Sequence, residues 1–596
     1  MPLTQLLVVG VLLTFSIASG KQPLKCPSEC ACSLDFKGRH QTVCTRGGMT
    51  GFPVTSIDND TQVIVIQGPR NHISIGPIFE KFHYLEVFRV TDSNVPAIGQ
   101  HTFWGLIHLK VVDLSRNNIT LIREDNFRGQ DNLLELDLSG NKLIRIPSAT
   151  FSHLSDLRNL SLADNFLVEL MPRQFLNLAN LKHLDLSGNP IVDLKPEVFR
   201  DIQKLKTFRC RRCQLEKVNP MLYSYLRMLN VLDLGDNHFR YLDKEEFQHL
   251  KLLHTLRFDG NQLSVIVDFL FSMQRNLQVL DMAHNRIVKV AGSAFENLVN
   301  LTHLDLSYNK LMSLDMSSVK PLVSLQVLNI SGNKQLDLDE SKYAFEELKT
   351  LTTLSVADMV SLPSNLLATF PNLRELNISG NHLRDENLQM LVPAKHLELL
   401  DLSRNQINGI DMRIVSLLTE IQDVNLANNP IICDRCHMGA LIDRAHTLKW
   451  SKLPSCYLPE SYRGTQISNI DGGGLDFCVS LDDEEDEDTN AASTSRNILS
   501  QGSLNILALM AGLLFIILAV LILGIVVCYS RHRARYYTHE DKRDLGATEK
   551  TIDPPATITS NEINFKFPID DHVCITDELC LPPPPPPPTK QAPVMG

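Results

Sequence analysis

One spacing of apolar residues governs the middle of this 596-residue chain. Its first position recurs every 24 residues without a slip, at Leu85, Leu109, Leu133, Leu157, Leu181, Leu205, Leu229, Leu253, Leu277, Leu301 and Leu325. Looser copies begin at Val63, Leu351, Leu373, Leu397 and Ile421, which brings the total to about sixteen. A fixed period of this length predicts a stacked solenoid, because one repeat cannot bury its apolar face alone.

Each copy reads Leu-x-x-Leu-x-Leu-x-x-Asn-x-Leu, as from Leu133 to Leu143, and this is the pattern of the leucine-rich repeat. It predicts an α/β fold in which each repeat of residues 61–428 adds one short strand to a curved parallel sheet. Sixteen strands at about 4.8 Å give a concave face roughly 75 Å long. The Asn side chain is expected to satisfy backbone groups at the turn. It recurs at Asn117, Asn141, Asn165, Asn189, Asn237, Asn261, Asn285 and Asn309.

A second periodic set consists of aromatic residues on the return half of each repeat. Its members are Phe103, Phe127, Phe151, Phe175, Phe199, Tyr223, Phe247, Phe271 and Phe295. We interpret this set as a packed spine of the core rather than as a ligand site, because aromatic side chains bury large apolar areas.

Cysteines cluster at both ends of the repeats, at Cys26, Cys30, Cys32 and Cys44 and at Cys433, Cys436, Cys456 and Cys478. A solenoid needs terminal caps, which we place at residues 21–60 and 429–478. These segments resemble the cysteine-rich flanks of extracellular leucine-rich-repeat proteins. The resemblance implies the disulfides Cys26–Cys32, Cys30–Cys44, Cys433–Cys456 and Cys436–Cys478, and a buried Trp450. The C-terminal cap departs from that family in beginning Cys-x-x-Cys instead of Cys-x-Cys.

The two ends of the chain predict its topology. Residues 1–20 carry an apolar run and then small residues, as a secretory signal peptide does. Residues 504–529 are apolar for long enough to cross a bilayer, between an acidic stalk at 479–503 and the basic Arg531, Arg533 and Arg535. We therefore expect a plasma-membrane protein with its N-terminus outside and a cytoplasmic tail at 530–596. Ten of the thirteen cysteines precede the span, in the oxidising compartment.

The whole arrangement resembles the Capricious and Tartan type of cell-surface receptor. The resemblance implies cell recognition or adhesion through an extracellular protein ligand or through the same protein on another cell. Two alternatives stay open: a co-receptor that modulates another receptor in its own membrane, and a shed pericellular protein. A net charge of −11 argues against nucleic acid as a partner.

No motif in the sequence predicts an enzyme, a cofactor or a metal site. Cys433, Cys436 and His437 spell a haem c attachment motif, but their place at the end of the repeats favours a disulfide cap. Cys210 and Cys213 fall on an inward position and a turn position, so we interpret them as buried structural thiols. A row of aspartates shares one outward strand position, and we interpret it as solvated polar surface. Its members are Asp113, Asp137, Asp185, Asp233, Asp281, Asp305 and Asp401.

Six glycosylation sequons precede the predicted span, at Asn59, Asn118, Asn159, Asn300, Asn329 and Asn377. The repeat register puts Asn329 and Asn377 on the concave face, Asn159 close to it and Asn300 at its edge. The concave face is therefore free of sequons from about the Leu181 repeat to the Leu301 repeat. We call this stretch the sequon-free window.

Within the window, Arg209 and Arg257 interrupt the aspartate row. Exposed Arg and Tyr among mixed charges suit a specific protein contact. We therefore predict a ligand-binding patch that consists of Arg209, Arg211, Arg257, Asp281 and Tyr308, with ordinary surface as the alternative.

The predicted tail carries a run of seven prolines after Leu581, namely Pro582, Pro583, Pro584, Pro585, Pro586, Pro587 and Pro588. Such a run forms a polyproline II rod, which aromatic grooves of adaptor domains recognise. We expect it to dock a cytoplasmic polyproline-binding adaptor, and a passive spacer is the alternative.

Overall fold

The computed structural model describes residues 25–77, 79–475 and 478. The chain divides into two units, Met1–Leu481 and Asp482–Gly596, and the described residues all lie in the first. The signal peptide, stalk, membrane span and proline-rich tail that the sequence predicts lie outside the described residues. Within the described part of the chain, every helix is too short or too polar to span a bilayer.

Among the described residues the main sheet has 18 strands, and sixteen of these are parallel strands that correspond one to each predicted repeat. They are β3 (Val63–Gln67), β4 (Val87–Thr91), β5 (Val111–Asp113), β6 (Glu135–Asp137), β7 (Asn159–Ser161), β8 (His183–Asp185), β9 (Thr207–Arg209), β10 (Val231–Asp233), β11 (Thr255–Arg257), β13 (Val279–Asp281), β15 (His303–Asp305), β16 (Val327–Asn329), β17 (Thr353–Ser355), β18 (Glu375–Asn377), β19 (Leu399–Asp401) and β20 (Asp423–Asn425). The repeat number is confirmed, with one correction at its start. Val63 pairs with Val87, two residues beyond Leu85, so the first repeat begins at Thr61 and not at Val63.

The turn asparagines do what the repeat pattern predicts. Asn189 is fully buried, and its Oδ1 accepts the Leu167 N–H of the preceding repeat at 3.0 Å. Its Nδ2 donates to the carbonyls of Leu162 and Leu186 at 2.9 and 2.8 Å. One amide thus satisfies backbone groups of neighbouring repeats at the turn.

The aromatic spine is confirmed, since each of its nine predicted members is at most 1% exposed. Phe103 and Phe127 stack at 6.0 Å, and Phe247 and Phe271 do so at 6.0 Å with their rings nearly parallel. The spine also extends one repeat further toward the N-terminus, where Phe79 stacks on Phe103 at 6.3 Å.

The return halves hold short helical segments and one small strand pair. The helices are α1 (Met221–Tyr225), α2 (Met316–Val319), α3 (Lys342–Glu346) and α4 (Met412–Leu418), with α5 (Gly439–Ile442) in the C-terminal cap. Strands β12 (Val265–Ile266) and β14 (Lys289–Val290) pair in parallel. The 3-10 segments are Val54–Ser56, Pro196–Phe199, Leu366–Thr369, Asp385–Leu391, Ala445–Thr447, Glu460–Tyr462, Ile467–Asn469 and Gly472–Gly474.

Both ends of the solenoid carry disulfide-bonded caps. Strands β1 (Ala31–Leu34) and β2 (His40–Cys44) pair antiparallel, and β2 continues the main sheet in parallel to β3. The structure contains the pairs Cys26–Cys32, Cys30–Cys44, Cys433–Cys456 and Cys436–Cys478, which the resemblance implies. Trp450 is 7% exposed, and its Nε1 donates to the Ile421 carbonyl at 3.4 Å. The disulfides occupy both cysteines of the haem-like motif.

The prediction for Cys210 and Cys213 is half wrong. Both are fully buried as expected, but they form a disulfide instead of remaining thiols. The chain turns between the inward strand position and the turn position, which brings the two Cα atoms to 5.5 Å. That separation lies within the range that a disulfide spans.

A buried carboxylic acid lies on the return half at Glu246. It is 6% exposed, and its Oε1 has no hydrogen-bond partner within the described residues. Burial, with a smaller contribution from Asp243, raises the pKa of Glu246 to about 7. Gln174 occupies the same repeat position three repeats earlier, and it accepts from the Met171 N–H and donates to the Pro147 carbonyl.

We therefore expect Glu246→Gln to stabilise the solenoid at pH 7.4. Because the pKa of Glu246 is raised in the folded state, wild-type stability falls as pH rises from about 4.5 to about 7. The neutral amide removes that loss, which amounts to about 3 kcal/mol in the free energy of unfolding. Urea unfolding of both proteins from pH 4 to pH 8 measures the difference. If the difference in unfolding free energy between the variant and wild type does not shrink toward pH 4.5, Glu246 is not the titrating group.

Candidate functional site

The sequon-free window is the part of the concave face between β8 and β15. Its strands pair in register, one residue per repeat, across the whole window. This places in one row Asp185, Arg209, Asp233, Arg257, Asp281 and Asp305. The structure therefore brings together three of the five predicted ligand-binding residues, Arg209, Arg257 and Asp281.

The aspartates of this row also have a structural role that was not predicted from the sequence. Each accepts a hydrogen bond from the backbone N–H two residues further on. Asp305 Oδ1 accepts from Ser307 at 2.8 Å, and Asp401 Oδ1 accepts from Ser403 at 2.8 Å. Asn329 does the same for Ser331 at 3.2 Å. These local hydrogen bonds from the backbone to Asp or Asn side chains therefore stabilise the turn that follows each strand, which is a common role of these residues.

Arg209 and Arg257 forgo that bond because a guanidinium has no acceptor. The Arg209 side chain is 48% exposed and touches Asp185 only at 4.0 Å. Arg257 is exposed, and no carboxylate of the described residues lies within 4.0 Å of it. Arg89, Ser161 and Ser355 also interrupt the row, but outside the window. The window thus presents two cations that the fold itself leaves nearly unpaired.

Asp281 lies beside Arg257 in the row. Burial, together with the charge of Asp259 and to a lesser extent that of Asp305, raises the pKa of Asp281 to about 6. The Ala283 N–H and the Arg257 charge act in the opposite direction. Asp281 is therefore ionised at neutral pH and gains a proton in mildly acidic medium, which makes the charge of the window sensitive to pH.

Arg211 does not offer a free charge to a ligand. Its guanidinium donates to Asp259 through both terminal nitrogens, and its Nε lies 2.9 Å from Asp236 Oδ2. Asp233 lies 3.4 Å away on the other side. Three carboxylates therefore hold Arg211, whose side chain is 29% exposed. This residue shapes the floor of the window rather than reaching out of it.

Tyr308 lies beyond the end of β15. Its ring stacks on His284 at 4.7 Å, and its hydroxyl donates to Asp358 Oδ2 at 2.9 Å. Arg404 Nη1 donates to Asp358 Oδ1 at 2.9 Å. Tyr308 is 44% exposed at the window's edge, although its ring packs between His284 and Gly332 and its hydroxyl is already bonded.

These contacts belong to a series of side-chain contacts that runs along the edge where the strands end. This series was not predicted from the sequence. Its side chains reach across a whole repeat because glycine stands between them. A Cβ at Gly332 would lie 2.5 Å from Tyr308 Cδ1, and one at Gly188 would lie 2.2 Å from Asp164 Oδ1. Both glycines have φ near +71°. The signal in the sequence is glycine recurring three residues after the aspartate row, at Gly140, Gly188, Gly260, Gly332 and Gly380.

The sequons border the window on both sides. Asn159 lies on β7 and lines a concave hollow of about 510 Å³, so it is on the concave face and not merely close to it. Asn377 lines a second hollow of about 480 Å³, and Asn329 lies on β16 between that hollow and the window. Asn300 precedes β15 at the edge and is exposed, as the register predicts. Asn59 is exposed and Asn118 half-buried, and neither lies on a strand.

These features define the fold as a leucine-rich-repeat solenoid of about sixteen turns with disulfide-bonded caps. The leucine-rich-repeat family model matches residues 83–143, 107–167, 131–191, 155–215 and 275–334. A second leucine-rich-repeat model matches residues 371–392.

Two curated relatives share part of this solenoid. The human CD180 antigen is 26% identical over 120 residues, which are 20% of this chain and 18% of that protein. The trophoblast glycoprotein of Macaca fascicularis is 28% identical over 131 residues, or 21% of this chain and 31% of that protein. The chain therefore spans less than a third of the length of either relative.

Among solved structures, the chain is similar to Drosophila Toll in its complex with Spatzle. The TM-score is 0.51 and the identity 19%, and the match covers 74% of this chain and 72% of that one. At this identity the similarity concerns the fold alone.

Proposed function

We propose that this protein is a single-pass plasma-membrane receptor that binds a protein partner in the sequon-free window. Five disulfides among the described residues support an oxidising compartment for the solenoid. The apolar run at 504–529 and its flanking charges support one membrane crossing with the N-terminus outside. The solenoid has no catalytic role in this proposal.

The observation that carries the proposal is the exposed Arg257 in the middle of the window, which has no carboxylate of the described residues within 4.0 Å. It stands between Asp233 and Asp281 in one row, with Arg209 two strands away. A surface that alternates cations and anions at fixed spacing selects a partner by charge complementarity. The half-exposed ring of Tyr308 adds an aromatic contact of the kind that protein interfaces favour.

We infer a protein rather than a small-molecule ligand from the row of alternating charges along the concave face. The Toll solenoid, which is similar in fold, is described in complex with Spatzle. We assign the partner to another cell, in keeping with the Capricious and Tartan type of architecture. Adhesion or recognition between cells is thus the proposed activity. The partner is the same protein or a different one on the neighbouring cell.

The tail has its own part in the proposal. The proline run from Leu581 to Pro588 docks an adaptor with an aromatic groove, which carries contact information inward. A co-receptor acting within one membrane is the second candidate function. It differs from adhesion in that its partner would co-purify from singly expressing cells.

We expect Arg209→Glu together with Arg257→Glu to abolish partner-dependent cell clustering. Reversing two exposed charges places like charges opposite the partner's carboxylates, and each such contact is worth about 2 kcal/mol or more at the centre of an interface. The assay mixes labelled cells that express the full chain with unlabelled cells that do not. Clusters of expressing cells indicate homophilic adhesion, and mixed clusters indicate a different partner in trans.

The matched control is Arg123→Glu together with Arg128→Glu, which changes the charge equally outside the concave row. Clustering that survives reversal at 209 and 257, or that fails equally in the control, would refute the assignment of the window. If expressing cells stay single and the full-length protein co-purifies with another receptor from those cells, the co-receptor function would be favoured. Soluble solenoid in conditioned medium would favour the shed form.

A further inference from the structure

A cluster of six basic side chains lies on the edge of the sheet where the strands begin, outside the concave row. We call it the strand-start patch, and its members are Arg158, Lys182, Arg200, Lys204, Lys206 and Arg227. All are exposed except Lys182, which is half-buried. The patch stands out because the chain as a whole carries a net charge of −11.

Backbone contacts fix three of these residues side by side. The Lys182 N–H donates to the Arg158 carbonyl at 2.8 Å, and the Lys206 N–H donates to the Lys182 carbonyl at 2.8 Å. Arg158, Lys182 and Lys206 therefore stand on adjacent turns of the solenoid, about 4.8 Å apart per step. Each of these residues directly precedes a strand, and like charges so close together repel one another.

The other three basic residues line a hollow that adjoins this row. The hollow has a volume of about 790 Å³, and its lining includes the three cations Arg200, Lys204 and Arg227, the one carboxylate Asp201, and Tyr225 and Met228. It is a concave site for several negative groups rather than a flat array of surface charges.

The described residues leave this charge almost unneutralised. Of the six, only Arg200 has a carboxylate of the described residues within 4.0 Å, that of its sequence neighbour Asp201 at 3.8 Å. Lys204 contacts the Asn180 amide oxygen, and Arg227 donates to the Ser224 carbonyl, so neither contact cancels a charge. The field also reaches His183, whose pKa is lowered by burial and then by Arg209, Lys182 and Lys206.

We propose that the strand-start patch binds a sulfated polysaccharide. A linear polyanion with sulfates along its length matches a row of cations at regular spacing, followed by a basic hollow. The disulfides of the solenoid support a compartment outside the reducing cytosol, where nucleic acid is not the prevalent polyanion. Anionic lipids are concentrated on the cytoplasmic leaflet, so they face the other side of the proposed topology.

This site is separate from the concave window, since it lies along the edge and its residues do not belong to the concave row. A polysaccharide on it would hold the receptor in the pericellular layer while the window stays open for a protein partner. The inference therefore stands whether or not the window binds what we propose for it.

The test measures binding of the full-length protein, in nonionic detergent, to immobilised heparin at about 0.15 M NaCl, near physiological ionic strength. Wild type is expected to bind and to elute as salt rises, because binding releases counterions from the polyanion. Lys182→Glu with Lys206→Glu is expected to weaken binding by at least about tenfold. Lys204→Ala with Arg227→Ala tests the hollow, and truncating these exposed side chains leaves the core untouched.

The matched control is Lys142→Glu with Lys310→Glu, two exposed lysines beyond the turn asparagines of other repeats, with the same change in net charge. Binding that falls in both patch variants and stays within about twofold in the control supports the proposal. Three outcomes would overturn it: wild type that does not bind heparin, equal losses in patch and control variants, or equal binding to single-stranded DNA or phosphatidylserine vesicles of matched charge.

Discussion

Replacing Phe247 by Ala is expected to lower the free energy of unfolding of the solenoid by about 3–5 kcal/mol. Phe247 is fully buried in the middle of the aromatic spine. Its ring lies 6.0 Å from those of Tyr223 and Phe271 and 5.8 Å from that of Phe258. The substitution removes contacts with the repeats on both sides. It therefore weakens the coupling between neighbours on which a solenoid depends.

The measurement is urea unfolding of the full-length protein followed by circular dichroism. Phe166→Ala is the matched control because its side chain is 55% exposed, and we expect it to change stability by no more than about 0.5 kcal/mol. Equal effects of the two substitutions would mean that the spine does not stabilise the fold as described.

The parts of this fold that follow from the sequence are those that repeat. The inward leucines, the turn asparagines and the aromatic spine each recur with the same period, so one rule of spacing places all their members. The first repeat shows where this rule of spacing fails. Thr61 stands at its first position in place of Leu, so the pattern predicted a start at Val63, two residues too late.

What the sequence did not reveal are contacts that span a repeat or depend on a chemical state. Arg211 reaches Asp259 48 residues away, and Tyr308 reaches Asp358 50 residues away, across positions that only the coil's curvature brings together. The period indicated that Cys210 and Cys213 are buried, but burial is compatible with thiols and with a disulfide. Of the predicted patch, Arg209, Arg257 and Asp281 lie in one row, whereas Arg211 is already held by carboxylates.

A glycan introduced into the window is expected to abolish partner binding outright. Asp305→Asn, at the last residue of β15, creates an Asn-Leu-Ser sequon with Leu306 and Ser307. The substitution preserves the fold because an Asn side chain can still accept the Ser307 N–H, as Asn329 does for Ser331. A bulky glycan there would stand on the concave face beside Asp281 and exclude a protein surface from the row.

A closely matched control exists for this substitution. Asp401→Asn creates the same sequon with Leu402 and Ser403 at the same strand position, but outside the window beside Asn377. Asp305 and Asp401 each accept a hydrogen bond from the Asn of the next strand, at 2.9 and 3.1 Å, so both variants lose the same contact. Combining Asp305→Asn with Ser307→Ala removes the sequon and separates the glycan's effect from that of the lost charge.

The measurement that tests the central claim most directly is the cell-mixing assay with these three variants and wild type. Glycan attachment is verified by the loss of apparent mass on enzymatic deglycosylation. We expect clustering with wild type, with Asp401→Asn and with the Asp305→Asn, Ser307→Ala pair, and no clustering with glycosylated Asp305→Asn. Clustering that persists with a glycan at position 305, or its absence in wild type, would contradict a receptor that binds its partner in trans through the sequon-free window.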